Sequence, residues 1–174
     1  AGHVGIPIGE MTIGTTGVIG VELPMALIRS GIPSIKLTRD GGDAFARSIM
    51  TTDSRPKDMA ISLDIDGRKV TFGGAAKGVG MIHPNMATML AFIATDAPVE
   101  RTFLQDCLIQ VVDSSFNMIT VDGDTSTNDT LLVMANGLAD NRPINSNSPN
   151  AEPFKEALLE VCVRLSRELA RDGE

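Results

Sequence analysis

The segment MAISLDIDGRKVTF, residues 59–72, alternates apolar and polar side chains on both sides of an Asp-Gly pair. One alternating run extends from Met59 to Ile65, and a second extends from Lys69 to Phe72. A period of two is typical of β-strands with one buried face. Asp-Gly favours the positive φ angles of a two-residue turn. The segment therefore predicts a β-hairpin.

Downstream of the hairpin, the chain is rich in small residues and then strongly apolar. The stretch Gly73–Gly80 contains four glycines and two alanines, which allow the backbone to approach another element closely. Thr88 to Thr95 predicts a buried strand, although its length alone does not exclude a helix. A second apolar run, Thr130 to Ala135, has the same character.

Four helices are predicted from apolar residues at helical spacing and from proline or aspartate near the first turn. They cover Leu23–Ser30, Ala44–Met50, Glu100–Ser115 and Ala151–Arg171. The first twenty residues are dense in glycine and β-branched residues and predict a strand, and Met118–Val121 predicts another. Without an internal repeat or a linker, we expect one mixed α and β unit.

The composition excludes several classes of protein. It is 43% hydrophobic and 21% charged, as in globular proteins, and the formal charge of −7 argues against nucleic acid as a partner. The apolar runs are too short to span a bilayer, so no membrane partner is expected. Cys107 and Cys162 occupy apolar helical positions without a CxxC motif, and we expect them to be buried, free thiols in a reduced compartment.

Four polar segments lie between apolar elements, where a polar group is either satisfied locally or functional. They are Gly14–Gly17, Thr51–Asp53, Ala76–Thr88 with its internal apolar residues, and Asp122–Asp129. Taken singly, each has an ordinary interpretation, because threonine and aspartate commonly bond to nearby backbone in turns and caps.

Familiar catalytic and metal motifs are absent from these segments. Lys77 is followed by Gly78 rather than Ser or Thr, so the phosphate loop G-x-x-x-x-G-K-[ST] is not formed. The Asp122–Asp129 segment lacks the glycine and the closing glutamate of a calcium-binding EF-hand. Neither His3 nor His83 has a metal-ligand partner nearby in the sequence. We therefore expect no metal.

Threonine itself remains as a possible nucleophile. A threonine at a new N-terminus carries its own base, since an α-amine has a pKa of about 7.7 to 8.0. The segment Pro84–Thr88 places a small residue, Ala87, before Thr88. Attack of the Thr88 hydroxyl on the preceding carbonyl, an N-to-O acyl shift and hydrolysis would expose that amine.

The stretch Ala76–Phe92 resembles the cleavage region of the bifunctional glutamate N-acetyltransferase/ornithine acetyltransferase family, the ArgJ family of arginine biosynthesis. The resemblance continues in order through nearly the whole chain. Its further segments are Thr16–Gly20, Met50–Asp53, Arg55–Lys57, Ser115–Asn117, Thr120–Asp129 and Arg171–Glu174.

The resemblance implies a fold and a processing event. The fold would be α/β (α+β), a layered sandwich of β-sheets flanked by helices, of the N-terminal-nucleophile type. Residues 1–174 would form one catalytic core fragment, because family members extend beyond both ends. Autocatalytic cleavage between Ala87 and Thr88 would make residues 1–87 the end of an α chain and 88–174 the start of a β chain. The two chains would remain associated, as a heterotetramer or a higher oligomer.

The resemblance also implies an activity. Thr88 would accept the acetyl group of N-acetylornithine and pass it to glutamate, without a cofactor, and acetyl-CoA could be a second donor. Thr16 and Gly17 would form the oxyanion hole. Thr51, Lys77, Thr88 and Glu174 would bind substrate, with Lys77 at a carboxylate and Glu174 at an ammonium.

This assignment places the protein in the cytoplasm, or in the mitochondrial matrix of a eukaryote. Two alternatives remain open at this point. A self-processing N-terminal-nucleophile amidase or aminopeptidase would pass the acyl group to water instead of an amine. An inactive truncated fragment would fold or bind a partner without turnover.

Overall fold

The computed structural model describes residues 1–83 and 89–173. The chain divides into two compact units, Ala1–Gly42 and Asp43–Glu174. The sequence predicts one mixed α and β unit, and the two compact units differ in the burial of their apolar side chains. No residue of 1–42, all of which are described, is buried, whereas the second unit contains the entire hydrophobic cluster of buried residues.

The first unit is built from short helical turns. It contains 3-10 turns at Ile8–Glu10 and Ile32–Ser34, with helix α1 (Met25–Gly31) between them. The predicted strand in the first twenty residues is wrong, because no strand forms there. Ile13 and Val18, whose branched side chains motivated that prediction, are about three-quarters exposed. A strand requires a partner for its backbone and one buried face, and this segment has neither.

The second unit contains a four-stranded sheet in the order β1-β2-β3-β4. Its elements along the chain are α2 (Gly42–Ser48), β1 (Lys57–Ile65), β2 (Arg68–Lys77), β3 (Leu90–Thr95), α3 (Arg101–Asp113), β4 (Thr130–Ala135) and α4 (Ala151–Arg171). β2 is antiparallel to both β1 and β3, and β4 runs parallel to β3. The predicted α/β class is confirmed. The predicted fold is a sandwich of β-sheets flanked by helices, and the described residues contain one of its sheets together with helices.

The hairpin of β1 and β2 forms as the sequence predicts. Ile65 pairs with Arg68 across the turn, and the register continues to Lys57 opposite Ala76. Asp66 and Gly67 adopt φ angles of 56° and 72°, the conformation required at both central positions of a type I′ turn. The hairpin register brings the start of β1 and the end of β2 to the same end of the sheet.

Helix α4 covers one face of the sheet and packs on β1 and β2. Phe154 of α4 lies against Phe72 of β2, with their ring centroids 5.2 Å apart. The helix lies close to the sheet at Gly74, where a β-carbon would lie 3.0 Å from Leu165 Cδ1 and 3.2 Å from Val161 Cγ1. The close backbone approach expected in the glycine-rich stretch therefore occurs here, between strand and helix.

Other predictions have mixed outcomes. The two predicted apolar strands correspond to β3 and β4, and both cysteines are buried and free. The predicted strand Met118–Val121 is wrong. A 3-10 turn covers Phe116–Met118, and Val121 forms a single backbone hydrogen bond to Ile82, which is too little pairing for a strand. Of the helices in the described ranges, none is both long and apolar enough to cross a membrane.

Candidate active site

Lys77, the last residue of β2, has a buried side chain. The residue is only 3% exposed, and its Nζ donates a hydrogen bond of 3.0 Å to Thr51 Oγ1. Burial lowers the pKa of Lys77, Asp53 opposes that shift by attraction, and Lys57 adds to it by repulsion. Among the described residues no carboxylate forms an ion pair with Lys77. The site thus contains the buried ammonium of Lys77, and its direct hydrogen-bond partner among the described residues is the Thr51 hydroxyl.

A cleft of about 330 Å³ opens beside Lys77. It is lined by Thr51, Thr52, Lys77, Gly78, Val79, Gly80, Met81, Asp122 and Asp124. These residues come from three of the four polar segments singled out in the sequence, and the fold brings them together at the end of β2. The lining of the cleft combines a cation and hydroxyls with two carboxylates.

Asp53 holds two of the segments that line this cleft. Its carboxylate accepts hydrogen bonds from the Thr51 N–H at 3.0 Å, the Gly78 N–H at 2.8 Å and Lys57 Nζ at 2.6 Å. Burial pushes the pKa of Asp53 upward, but these three donors outweigh it and hold the pKa below its ordinary value. Gly78 has a φ of 144°, which residues with a β-carbon rarely adopt, so glycine is needed to aim its N–H at Asp53.

Lys57 lies between two carboxylates, one from Asp53 nearby in the sequence and one from Asp172 at the end of α4. Its Nζ lies 2.6 Å from Asp53 Oδ1 and 2.5 Å from Asp172 Oδ2. Asp172 also accepts hydrogen bonds from the backbone N–H and the hydroxyl of Ser54. Burial alone would raise the pKa of Asp172, but Lys57 and Ser54 lower it to about 2. The end of α4 is thereby tied to the segment that carries Thr51.

One loop contacts the chain on both sides of residues 84–88. Before this segment, Asp122 accepts hydrogen bonds from the N–H groups of Met81 and Ile82, the latter at 2.9 Å. After it, Asp129 accepts a hydrogen bond of 2.8 Å from the Met89 N–H. The bond from Met81 is the main reason that the pKa of Asp122 is lowered, whereas burial raises the pKa of Asp129.

The structure brings two of the predicted substrate-binding residues into direct contact, Thr51 and Lys77. Thr16 and Gly17 lie in the first unit, in a segment without regular secondary structure, where Thr16 is half-buried and Gly17 is exposed. Ala87, Thr88 and Glu174 lie outside the described residues. The roles of these five residues stay predictions.

The buried position of Lys57 was not predicted from the sequence, although a signal was present. Lys57 is in phase with Met59, Ile61, Leu63 and Ile65, the positions of β1 that face the core. A charged residue at the head of a buried face requires a buried partner. Asp53, four residues earlier, could have been paired with it on that ground.

No metal centre is indicated by the part of the chain that the structure describes. Within residues 1–83 and 89–173, no three His, Cys, Asp or Glu side chains are grouped so that they could hold a metal ion. The chemistry available at the cleft is therefore that of ammonium, hydroxyl, carboxylate and backbone N–H groups.

Comparison with known proteins gives a consistent family. The ArgJ family model matches residues 1–174. The arginine biosynthesis bifunctional protein ArgJ of Bacillus cereus is 49% identical over 176 residues, and that of Bacillus subtilis is 51% identical over 174 residues. Each alignment covers 100% of this chain and 43% of the relative, so the chain spans less than half the length of these proteins.

A crystal structure of the ArgJ protein of Bacillus halodurans is also similar. It has 46% sequence identity and a TM-score of 0.47, over 48% of this chain and 39% of that one. Since the family model extends over every residue and the B. subtilis relative is about half identical throughout, the chain belongs to the ArgJ family.

Proposed function

We propose that the complete protein is an acetyltransferase that moves the acetyl group of N-acetylornithine to glutamate, and that this chain supplies part of its active site. Family membership supports the assignment, because the relatives are named bifunctional proteins of arginine biosynthesis. The cleft supports it independently, through the charge at Lys77.

The buried ammonium of Lys77 is the observation that carries the proposal. A buried cation is costly unless an anion or several acceptors compensate it, and among the described residues the direct partner of Lys77 is the Thr51 hydroxyl. N-acetylornithine and glutamate both possess an α-carboxylate. Binding that carboxylate to Lys77, with a second hydrogen bond from Thr51, would compensate the charge and align either substrate in the same way.

Thr88 is the proposed nucleophile once cleavage after Ala87 has freed its α-amine. The amine accepts the hydroxyl proton while the oxygen attacks the acetyl carbonyl, and the amide nitrogen of the donor leaves as the amine of ornithine with that proton. Glutamate then attacks the acetyl ester through its neutral α-amine. N-acetylglutamate departs, and the hydroxyl of Thr88 is restored.

The remaining roles are assigned by the resemblance. The Thr16 hydroxyl and the Gly17 N–H would stabilise the oxyanion, and Glu174 would bind a substrate ammonium. Acetyl-CoA is a possible alternative donor, and no cofactor is proposed. We place the protein in the cytoplasm, or in the matrix of mitochondria if the source is eukaryotic, as associated α and β chains in a heterotetramer or a higher oligomer.

The test follows a labelled acetyl group. The complete, processed protein is incubated with acetyl-labelled N-acetylornithine and glutamate, and the products are separated by chromatography. Label on N-acetylglutamate supports the proposal, while label found only as free acetate indicates the amidase alternative. An absence of label transfer by the processed protein would contradict the assignment, and transfer by the complete protein but not by residues 1–174 alone would identify the chain as an inactive fragment.

A further inference from the structure

Four charged side chains lie together at the cleft, and one of them, Lys77, is part of its lining. Lys57, Asp53 and Asp172 form the inner group, with side chains 0%, 0% and 5% exposed. Lys77, the fourth, is the only other buried lysine among the described residues. The cluster contains two carboxylates and two ammoniums, so its formal charges balance.

The two ammoniums have different partners. Lys57 contacts both carboxylates, whereas Lys77 donates to the Thr51 hydroxyl and forms no ion pair with the described residues. Asp53 attracts the charge of Lys77, and Lys57 repels it. Lys57 thus forms the direct ion pair with Asp53, and Lys77 donates to the neighbouring Thr51 hydroxyl instead.

Each carboxylate of the cluster also holds backbone of the segment 51–54, and two residues of that segment line the cleft. Asp53 accepts from the N–H groups of Thr51 and Gly78, and Asp172 accepts from that of Ser54. Because both carboxylates are charged and paired with Lys57, their positions depend on that one ammonium. Asp53 joins the loop 51–54 to the end of β2 through the Gly78 N–H, and Lys57 ties that loop to Asp172 at the end of α4.

Stability alone is a weak reason for such an arrangement. Replacing a buried ion pair by apolar side chains of similar volume is often neutral or stabilising. From the partners and distances we propose that Lys57 is a positioning residue, which saturates Asp53 and Asp172 and thereby leaves Lys77 free to bind the carboxylate of an N-acylated amino-acid substrate. This inference rests on the proposed function and adds a residue that does not itself touch the substrate.

The test is a Lys57→Met substitution in the complete protein. Without Lys57, Lys77 is the remaining buried cation for Asp53, so binding of the substrate carboxylate should weaken. We expect KM for N-acetylornithine to rise about tenfold to hundredfold, the equivalent of one charge-assisted hydrogen bond, with kcat within about threefold of wild type. Lys57→Arg, which keeps the charge, should recover most of the loss.

Lys69→Met provides the matched control, because Lys69 is an exposed lysine on β2 and its loss changes the net charge equally. It should leave KM unchanged. A Lys57→Met variant with wild-type KM, and a lower kcat that tracks its folded fraction, would overturn the inference, since that is the behaviour of a purely structural residue. If Lys57→Met does not fold, Lys57→Gln keeps a donor without the charge and carries the same expectation.

The inference can fail separately from the proposed function. If the wild-type protein transfers no acetyl group, the proposed function is wrong, and titration calorimetry with N-acetylornithine then tests Lys57 directly. Weaker binding to the Lys57→Met or Lys57→Gln variant than to wild type supports the positioning role. Equal binding to wild type and variant, or no binding to either, overturns it.

Discussion

Lys77→Met should separate the contribution of this lysine to binding from its contribution to folding. The side chain is 3% exposed, and methionine is apolar and similar in length. Burial disfavours the ammonium in the folded state, the attraction by Asp53 offsets only part of that cost, and the repulsion by Lys57 adds to it. The substitution removes that penalty and loses a hydrogen bond to Thr51, so the free energy of unfolding should be unchanged or higher by up to about 3 kcal/mol at neutral pH.

Substrate binding should change in the opposite direction. The variant loses a charge-assisted hydrogen bond to the substrate carboxylate, worth about 1.5 to 3 kcal/mol, which corresponds to a rise in KM of about 10- to 150-fold. Self-cleavage should be affected less than binding, because Lys77 is proposed to contact the substrate and not the scissile bond. A variant that is at least as stable as wild type yet binds substrate poorly would identify Lys77 as a functional residue.

Stability is measured by urea unfolding followed by circular dichroism, and binding by initial rates against N-acetylornithine. The pH dependence provides a further check. A lysine whose folded pKa is lowered destabilises the fold below that pKa, and the penalty disappears as pH rises from the folded pKa to the ordinary value of 10.5. The stability difference between Lys77→Met and wild type should therefore shrink across that window.

Three results would contradict this reasoning. The first is a variant that is less stable by about 2 kcal/mol or more, a size typical of lost core contacts. The second is a KM within about twofold of wild type, because that corresponds to less than a typical hydrogen bond. The third is a stability difference that stays constant as pH approaches 10.5. Lys69→Met, on the same strand but exposed, should show neither the stability effect nor the rise in KM.

Two further substitutions test the fold and the support of the cleavage segment. Gly74→Ala should destabilise the protein by about 1 to 3 kcal/mol in urea unfolding, because its β-carbon meets Leu165 and Val161, whereas Gly73→Ala, with nothing within 4 Å, should not. Asp129→Ala leaves the Met89 N–H without its acceptor and should slow cleavage before Thr88 about tenfold on denaturing gels, since such a loss costs about 1 to 3 kcal/mol. Asp129→Asn, which keeps an acceptor oxygen, should cleave at a rate closer to wild type, and equal rates for both variants would contradict this role.

Local patterns predicted the elements that depend on local geometry. The hairpin was predictable because Asp66-Gly67 suits a type I′ turn and because the flanking residues alternate. Helix α4 was predicted with its observed bounds, Ala151–Arg171, because its apolar residues keep helical spacing over 21 residues. In both cases the signal lies within the segment itself.

The prediction of an N-terminal strand was wrong because a strand depends on a partner outside its own segment. Glycine and β-branched residues favour an extended chain, but a strand forms only where another strand completes its hydrogen bonds. In residues 1–42 no such partner is found, and a 3-10 turn forms at Ile8–Glu10 instead. Propensity alone could not have revealed the missing partner.

The charged cluster at the cleft was also only partly predictable, because some of its contacts join residues far apart in the sequence. Thr51 and Lys77 were predicted individually through the family resemblance, and the structure joins them by a hydrogen bond. The contact of Lys57 with Asp172 connects residues 115 positions apart, so no local pattern contains it. The phase of Lys57 with the buried face of β1 was the available sign that it required a partner.

The proposed acetyl-enzyme can be observed directly. The complete protein is purified, exposed briefly to N-acetylornithine without glutamate, quenched in acid and analysed by peptide mass spectrometry. The account predicts a β chain that begins at Thr88 and carries one acetyl group on the Thr88 side chain, which disappears when glutamate is added. An active enzyme with an uncut Ala87–Thr88 bond, or a processed enzyme acetylated at any other residue, would contradict it.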